Sequence, residues 1–257
     1  MSHRPRKRFG QHFLHDPGVI ARIVAAIDPR PGDRLVEIGP GSGAITADLL
    51  RCAGRLDVVE LDRDLVGPLQ ARFAHLGELR VHQGDALKVE LCALGGMYDP
   101  LRLVGNLPYN VSTPLLFRFL DQRGCVRDMH FMLQKEVVAR MAAEPGGKEY
   151  GRLSVMLQVH CTVTRLFDIG PGAFTPPPKV DSSLVRLIPF GSPPWPIDDP
   201  QRFARLVADA FSQRRKTLRN ALKQRFDARM FDRAGIDPGT RAEQLAPADF
   251  VRLANSG

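Results

Sequence analysis

Asn106-Leu107-Pro108-Tyr109 brings a primary amide, a rigid proline and an aromatic ring together within four residues. The tetrad follows an apolar run, residues 101–105, that reads as a strand. An amide oxygen and a backbone carbonyl can accept the two N–H bonds of an exocyclic amine, while a ring stacks on the flat base that carries it. With a methyl donor beside it, such a cradle is the reaction centre of an adenine-N6 methyltransferase.

A second constellation offers room for that donor. Glu37-Ile38-Gly39-Pro40-Gly41-Ser42-Gly43 closes a strand-like run, Glu60 stands at the end of the next one, and Gly84-Asp85-Ala86 at the end of a third. Glycines let a ligand lie against bare backbone, and an acid about 20 residues further on can accept both hydroxyls of a ribose. Asp85 can accept from an adenine amino group. A lone Gly-rich turn is equally a tight β–α connection, and either acid alone is equally a helix cap or a surface charge. Three such features in register with strand ends point to one crevice. The competing ligand is NAD; Gly39-x-Gly41-x-Gly43 lacks the Gly-x-Gly-x-x-Gly order, but the glycine spacing by itself does not settle the choice. Beside Asn-Leu-Pro-Tyr, S-adenosylmethionine (SAM) fits better than a dinucleotide.

The elements that must position these residues alternate. Strand-like runs at residues 34–39, 55–62, 79–85, 101–105 and 129–133 are separated by helical patterns at 45–50, 65–73 and 114–120. Asp16-Pro17 reads as the start of a helix, with Asp as N-cap and Pro at the first helical position. Alternation at this spacing argues for an α/β fold, a parallel sheet covered by helices on both faces. Residues 154–161 and 183–188 read as two late, antiparallel strands joined by a Gly/Pro-rich loop over 170–179. Gly191-Ser192-Pro193-Pro194-Trp195-Pro196 reads as a linker. Domains are thus expected over residues 1–190 and 198–257, the second small and helical.

The net charge of +8 favours a polyanionic partner such as nucleic acid. Residues 198–257 hold 12 Lys/Arg against 8 Asp/Glu, about three times the charge density of the rest. Hydrophobic residues make up 44%, enough for a packed core. No apolar run approaches the ~18 residues of a membrane span, and the basic N-terminus lacks the apolar stretch of a signal peptide. The expected location is the cytoplasm, without membrane attachment, and nothing demands more than a monomer. Cys52, Cys92, Cys125 and Cys161 are scattered, as are the seven histidines. The expectation is buried free thiols and no metal.

Taken together, the motifs resemble those of the KsgA-type (RsmA) small-subunit ribosomal RNA adenine-N6,N6-dimethyltransferases. The residues that carry the resemblance are Lys7-Arg8-Phe9-Gly10-Gln11-His12-Phe13-Leu14, Glu37 to Gly41, Glu60-Leu61-Asp62, Gly84-Asp85-Ala86, Asn106 to Asn110, and Phe174 to Ser182. Arg214 to Asn220 is similar to that family's helical domain. The resemblance implies a Rossmann-like SAM-dependent methyltransferase sheet with a small α-helical C-terminal domain. It implies dimethylation of two adjacent adenines near the 3′ end of 16S rRNA in the immature 30S subunit. It places the donor contacts at His12, Leu14, Gly39, Glu60, Asp85 and Asn106. Many members have Asn where this chain has His12, whose ring can still donate or accept one hydrogen bond.

In the resulting scheme Asn106 and the Pro108 carbonyl accept the hydrogens of the adenine amine, and Tyr109 stacks on the base. Phe174 covers the other face, unless it only packs its loop on the core. Arg214, Arg215, Lys216, Arg219 and Lys223 are expected to face RNA, with 215, 219 and 223 on one helical face. A merely solvated charged face is the alternative. The basic arm from Arg4 to Arg8 is a second RNA candidate. Other readings are a 23S rRNA methyltransferase of the resistance type, a DNA adenine methyltransferase, and a non-catalytic binder.

Overall fold

The computed structural model describes residues 12–95 and 99–257. The basic arm, Arg4 to Arg8, lies outside the described residues. The chain opens with β1 (Phe13–Leu14), α1 (Pro17–Ile27), β2 (Leu35–Ile38), α2 (Thr46–Ala53), β3 (Arg55–Glu60), α3 (Arg63–Phe73) and β4 (Glu78–Gln83). It continues through β5 (Leu101–Asn106), α4 (Ser112–Asp121), β6 (Val126–Gln134), α5 (Lys135–Met141), α6 (Arg152–Gln158), β7 (Cys161–Ile169), β8 (Phe174–Thr175) and β9 (Ser182–Pro189). Four helices follow: α7 (Pro200–Phe211), α8 (Leu218–Leu222), α9 (Ala228–Ala234) and α10 (Pro247–Ala254).

Seven strands form one sheet in the order β4-β3-β2-β5-β6-β9-β7. The pairs from β4 to β6 are parallel, and β9 runs antiparallel to β6. Every residue of β2 is buried, as expected for a central parallel strand covered on both faces. The chain leaves β2 in one direction for β3 and β4, and returns on its other side as β5. That reversal between β2 and β5 opens a crevice at the carboxyl ends of the strands. β1 pairs antiparallel with β8, Leu14 opposite Phe174.

Local signals account for several boundaries. The Asp16 side chain accepts from the Val19 N–H at 2.9 Å and Pro17 occupies the first turn of α1. Asp62 caps α3 and Asp199 caps α7 in the same way. At the base of the sheet Arg102 is buried. Its guanidinium donates to Asp128 and Asp33 and to the Ile27 and Asp28 carbonyls that end α1.

The chain divides into two compact units. One runs to Val138 and resumes over Thr164–Pro189; the other comprises Ala139–Val163 and Phe190–Gly257. The first contains the sheet and a core that includes Ile23, Leu49, Leu56, Val58 and Val104. The second is helical around Tyr150, Phe203, Phe231 and Phe250.

Three expectations need correction. Residues 154–161 were expected as strand, but residues 152–158 form α6, and β7 begins only at Cys161. Their short apolar run does not distinguish a buried strand from a buried helix; packing against α7 and α10 decides for helix. Nor do residues 215, 219 and 223 share one helix. The chain turns at 212–216 and α8 covers only Leu218–Leu222. There the Leu218 N–H donates to the Thr240 carbonyl and Thr217 bridges to Arg241, pulling the backbone out of helical register.

The cysteines are also not all buried free thiols: Cys92 and Cys125 form a disulfide, and Cys52 is exposed. The disulfide partners are 33 residues apart in sequence. Gln122 brings them together by accepting from the Leu91 N–H and donating to the Val89 carbonyl.

Candidate active site

A cavity of about 340 Å³ opens at the carboxyl ends of β2, β3, β4 and β5. That volume suits a nucleoside-sized ligand. Its wall includes His12, Leu14, Gly39, Glu60, Asp85, Asn106, Pro108 and Tyr109, so the sequence-expected donor contacts and the amide tetrad share one crevice.

The turn after β2 contributes Gly39 and Gly41 to the cavity wall, both at positive φ, a region that side chains resist. Gly43 has φ of +80°, and a Cβ there would lie 2.3 Å from the Phe73 ring. Glu60, at the end of β3, is oriented by two backbone donors. Gly41 N–H reaches one carboxylate oxygen at 3.1 Å and Asp62 N–H the other at 2.8 Å. Burial raises the Glu60 pKa against the opposing pull of those bonds. Asp85 accepts from the Leu87 N–H at 3.0 Å through one oxygen.

Glu37 plays no part in the sequence scheme, yet it lines the cavity at 2% exposure. Burial pushes its pKa up to about 7; the Thr46 hydroxyl, donating at 2.6 Å, opposes the rise, and the Glu60 charge adds to it. The sequence held a signal for this residue. A lone acid inside a run otherwise made of Leu, Val and Ile must be buried, at a cost that demands a partner.

Around the tetrad, the Asn106 amide nitrogen donates to the His12 carbonyl at 2.9 Å. Its oxygen is the atom left to accept from a ligand. The His12 contact that matters to Asn106 is therefore backbone; the imidazole Nδ1 lies 2.7 Å from the Pro176 carbonyl. The Pro108 carbonyl accepts from the Val111 N–H at 3.2 Å, which leaves one lone pair for an amine. The Tyr109 ring stacks near the His12 ring, with centroids 5.8 Å apart and planes 27° from parallel. Its hydroxyl lies 2.5 Å from the Ser182 hydroxyl.

Phe174 stands elsewhere. It is 2% exposed, belongs to the core of the sheet unit and does not line the cavity. The expected second ring over the base is thus not on the cavity wall. β8 pairs with β1, Phe174 opposite Leu14, and both side chains belong to the same core cluster. Arg214, Arg215, Lys216, Arg219 and Lys223 are all exposed on the helical unit. Arg214 donates to the Lys148 carbonyl and pairs with Glu243 at 3.5 Å.

A mostly parallel sheet whose order reverses beside a Gly-rich turn, with Glu60, Asp85 and the Asn106 tetrad on one cavity wall, has the fold and site of a Rossmann-like methyltransferase. The residues of the cavity fit SAM: two carboxylates are poised for its hydroxyls and amino group, and bare backbone lies alongside. The chain matches the family model for ribosomal RNA adenine dimethylase over residues 2–256, and it belongs to that family. It is 57% identical over 253 residues to the ribosomal RNA small subunit methyltransferase A of Pseudomonas aeruginosa, covering 98% of this chain and 94% of that protein. Identity to the protein of that name from Xanthomonas campestris is 58% over 250 residues, covering 97% and 95%. Among solved structures, a dimethyladenosine transferase from Plasmodium falciparum is similar with a TM-score of 0.80 at 26% identity, covering 94% of this chain and 96% of that one. The 23S rRNA methyltransferase ErmE shares the fold, with a TM-score of 0.75 at 24% identity over 95% of this chain and 98% of that one.

Proposed function

We propose that this protein dimethylates the N6 amines of two adjacent adenines near the 3′ end of 16S rRNA, acting as a monomer on the immature 30S subunit in the cytoplasm. The relatives named as small-subunit enzymes support the choice of subunit, at 57% and 58% identity over nearly the whole chain. The observation that carries the chemistry is the Asn106 amide, tied through its nitrogen to His12 so that its oxygen is left as the acceptor.

SAM, when bound, supplies an electrophilic methyl on a sulfonium. Glu60 accepts from the ribose hydroxyls, Asp85 from the adenine of the donor, and Gly39 lets the ligand lie on bare backbone; Leu14 and the His12 backbone close the wall. Asn106 and Pro108 accept from the target amine. This favours a pyramidal nitrogen, whose lone pair is then available instead of delocalised into the purine. Tyr109 stacks on the base, which must leave its own stack to reach the cavity. Positioning supplies most of the acceleration, and well-oriented reactants gain roughly 7–11 kcal/mol. Asn106 and Pro108 only accept hydrogen bonds from the amine, and the proton leaves to water. Arg214, Arg215, Lys216, Arg219 and Lys223 contact RNA phosphates, with the turn after α7 contributing the first three.

The test uses tritiated SAM with naked 16S rRNA, naked 23S rRNA and partly assembled 30S particles. Label on two neighbouring adenines of 16S rRNA in the particles is expected. Label confined to 23S rRNA, or none, overturns the reading. Asn106→Ala is expected to abolish transfer while SAM still binds.

A further inference from the structure

We infer that Ser182 is a positioning residue for methyl transfer, holding the Tyr109 ring in the plane on which the target adenine stacks. The inference deepens the rRNA adenine reading above and rests on it. Tyr109 lies half-buried in the turn between β5 and α4. Two contacts restrict it here. The imidazole of His12 lies against one face of the ring. The Ser182 hydroxyl lies 2.5 Å from the phenol oxygen, 73 residues away in sequence.

Ser182 is well suited to serve as an anchor. It is 0% exposed and is the first residue of β9, where the ladder sets it opposite Gln134 of β6. The preceding residue is fixed from the same strand end. The Asp181 carbonyl accepts from the Lys135 N–H at 2.9 Å, and its carboxylate lies 3.4 Å from the Lys135 ammonium. The hydroxyl is therefore mounted on the sheet, and through it the far end of the Tyr109 ring is mounted as well. The imidazole is in turn tied to Pro176, in the loop that leads into β9. One ring face and the phenol oxygen are thus engaged by protein, and the ring is held on the cavity wall for a base.

A phenol fastened this way explains why Tyr rather than Phe serves at this position. Phenylalanine stacks equally well on a purine but cannot reach Ser182, so it would present the same surface without a fixed tilt. Since a base pinned at the wrong tilt misaligns its amine with Asn106, loss of the anchor falls on the chemical step and spares SAM binding.

The experiment is a double-mutant cycle on the full chain with Ser182→Ala, Tyr109→Phe and both, plus Ser182→Thr, assayed with 30S particles. Ser182→Ala and Tyr109→Phe are each expected to lower kcat roughly tenfold, the factor for one hydrogen bond, with SAM Kd unchanged. The double variant is expected to be no slower than either single one, and Ser182→Thr to recover most of the loss. Full additivity, unchanged kcat in Ser182→Ala or Tyr109→Phe, or a matching loss of SAM affinity would each overturn the inference. If Ser182→Ala does not fold, Tyr109→Phe tests the bond from the cavity side. Wild-type protein assayed in parallel separates the two levels: an inactive wild type removes the rRNA reading, whereas an active wild type with an indifferent Tyr109→Phe removes only the role of Ser182.

Discussion

The amide nitrogen of Asn106 donates to the backbone carbonyl of His12 at 2.9 Å, across 94 residues of chain. This bond settles which end of the amide is presented as an acceptor, because a flipped amide would set two oxygens against each other. Asn106→Asp is nearly isosteric and keeps an acceptor, yet it places a carboxylate oxygen against the His12 carbonyl. Single-turnover methylation is expected to fall by roughly 10–100-fold, the range for losing a hydrogen bond and facing an unsatisfied acceptor. Turnover equal to the wild type would show that the donor end of the amide does not matter.

Glu60 accepts two backbone N–H bonds, one through each oxygen. Glu60→Gln can accept only one of them and must turn an NH₂ group toward the other donor. SAM affinity measured by calorimetry is expected to drop roughly 10–100-fold, as charge-assisted bonds contribute about 1.5–3 kcal/mol. An unchanged Kd would place the ribose elsewhere.

Glu37 makes the SAM-free protein sensitive to pH. Its carboxyl stands at about 7 in the folded chain, against an ordinary 4.5. Between those values the unfolded chain has released a proton that the folded chain retains, so stability falls as pH rises from about 4.5 through about 7 and levels off above. The shift corresponds to a loss of about 3 kcal/mol. Glu37→Gln keeps an acceptor for Thr46 and cannot ionise. Urea unfolding across this range should show a flatter profile for the variant, and parallel profiles would exclude Glu37 as the group responsible.

Arg102 lies at the opposite end of the sheet from the cavity and joins Asp33, Asp128 and the last carbonyls of α1. Arg102→Leu leaves the two carboxylates without their buried shared cation, and the exposed Arg127 is the cation that still pairs with both. Removing one partner of a buried pair costs about 3–5 kcal/mol, so a large fall in the urea midpoint is expected. Methyl transfer by the fraction that remains folded should match the wild type. A stable variant with impaired transfer would contradict this separation of roles.

The turn after α7 should report on RNA binding through salt. Reversing charge at Arg215 and Lys216 is expected to weaken 16S rRNA binding and to reduce the salt slope by roughly 1 for each phosphate that is no longer neutralised. Binding with an unaltered slope would leave these residues as a solvated surface.

The local grammar of the sheet is legible in the sequence. Asp16-Pro17 starts α1 because a capping carboxylate and a proline act within one turn. Buried strands such as β2 read as nearly unbroken apolar runs, and the glycines that follow mark the turn that closes the strand. The order of Gly39, Glu60, Asp85 and Asn106 at successive strand ends is enough to assemble a crevice, since a parallel sheet brings such ends to one edge. α6 escapes such reading because seven mostly apolar residues have no decisive period. The helix expected through residues 215–223 fails because backbone pairing with the 238–241 loop interrupts it.

What the sequence determined by itself, then, was the set of chemical groups and the strand ends that carry them, because caps, glycines and periodicity act over a few residues. Tertiary structure alone decided how those groups are aimed. Asn106 is oriented by a carbonyl 94 residues away, Tyr109 by a hydroxyl 73 away, and Phe174 is buried in the core cluster that also holds Leu14, from the far end of the sheet unit's sequence. Such pairings depend on which distant segments the sheet order brings together, and one chain read residue by residue carries no local mark of that distance.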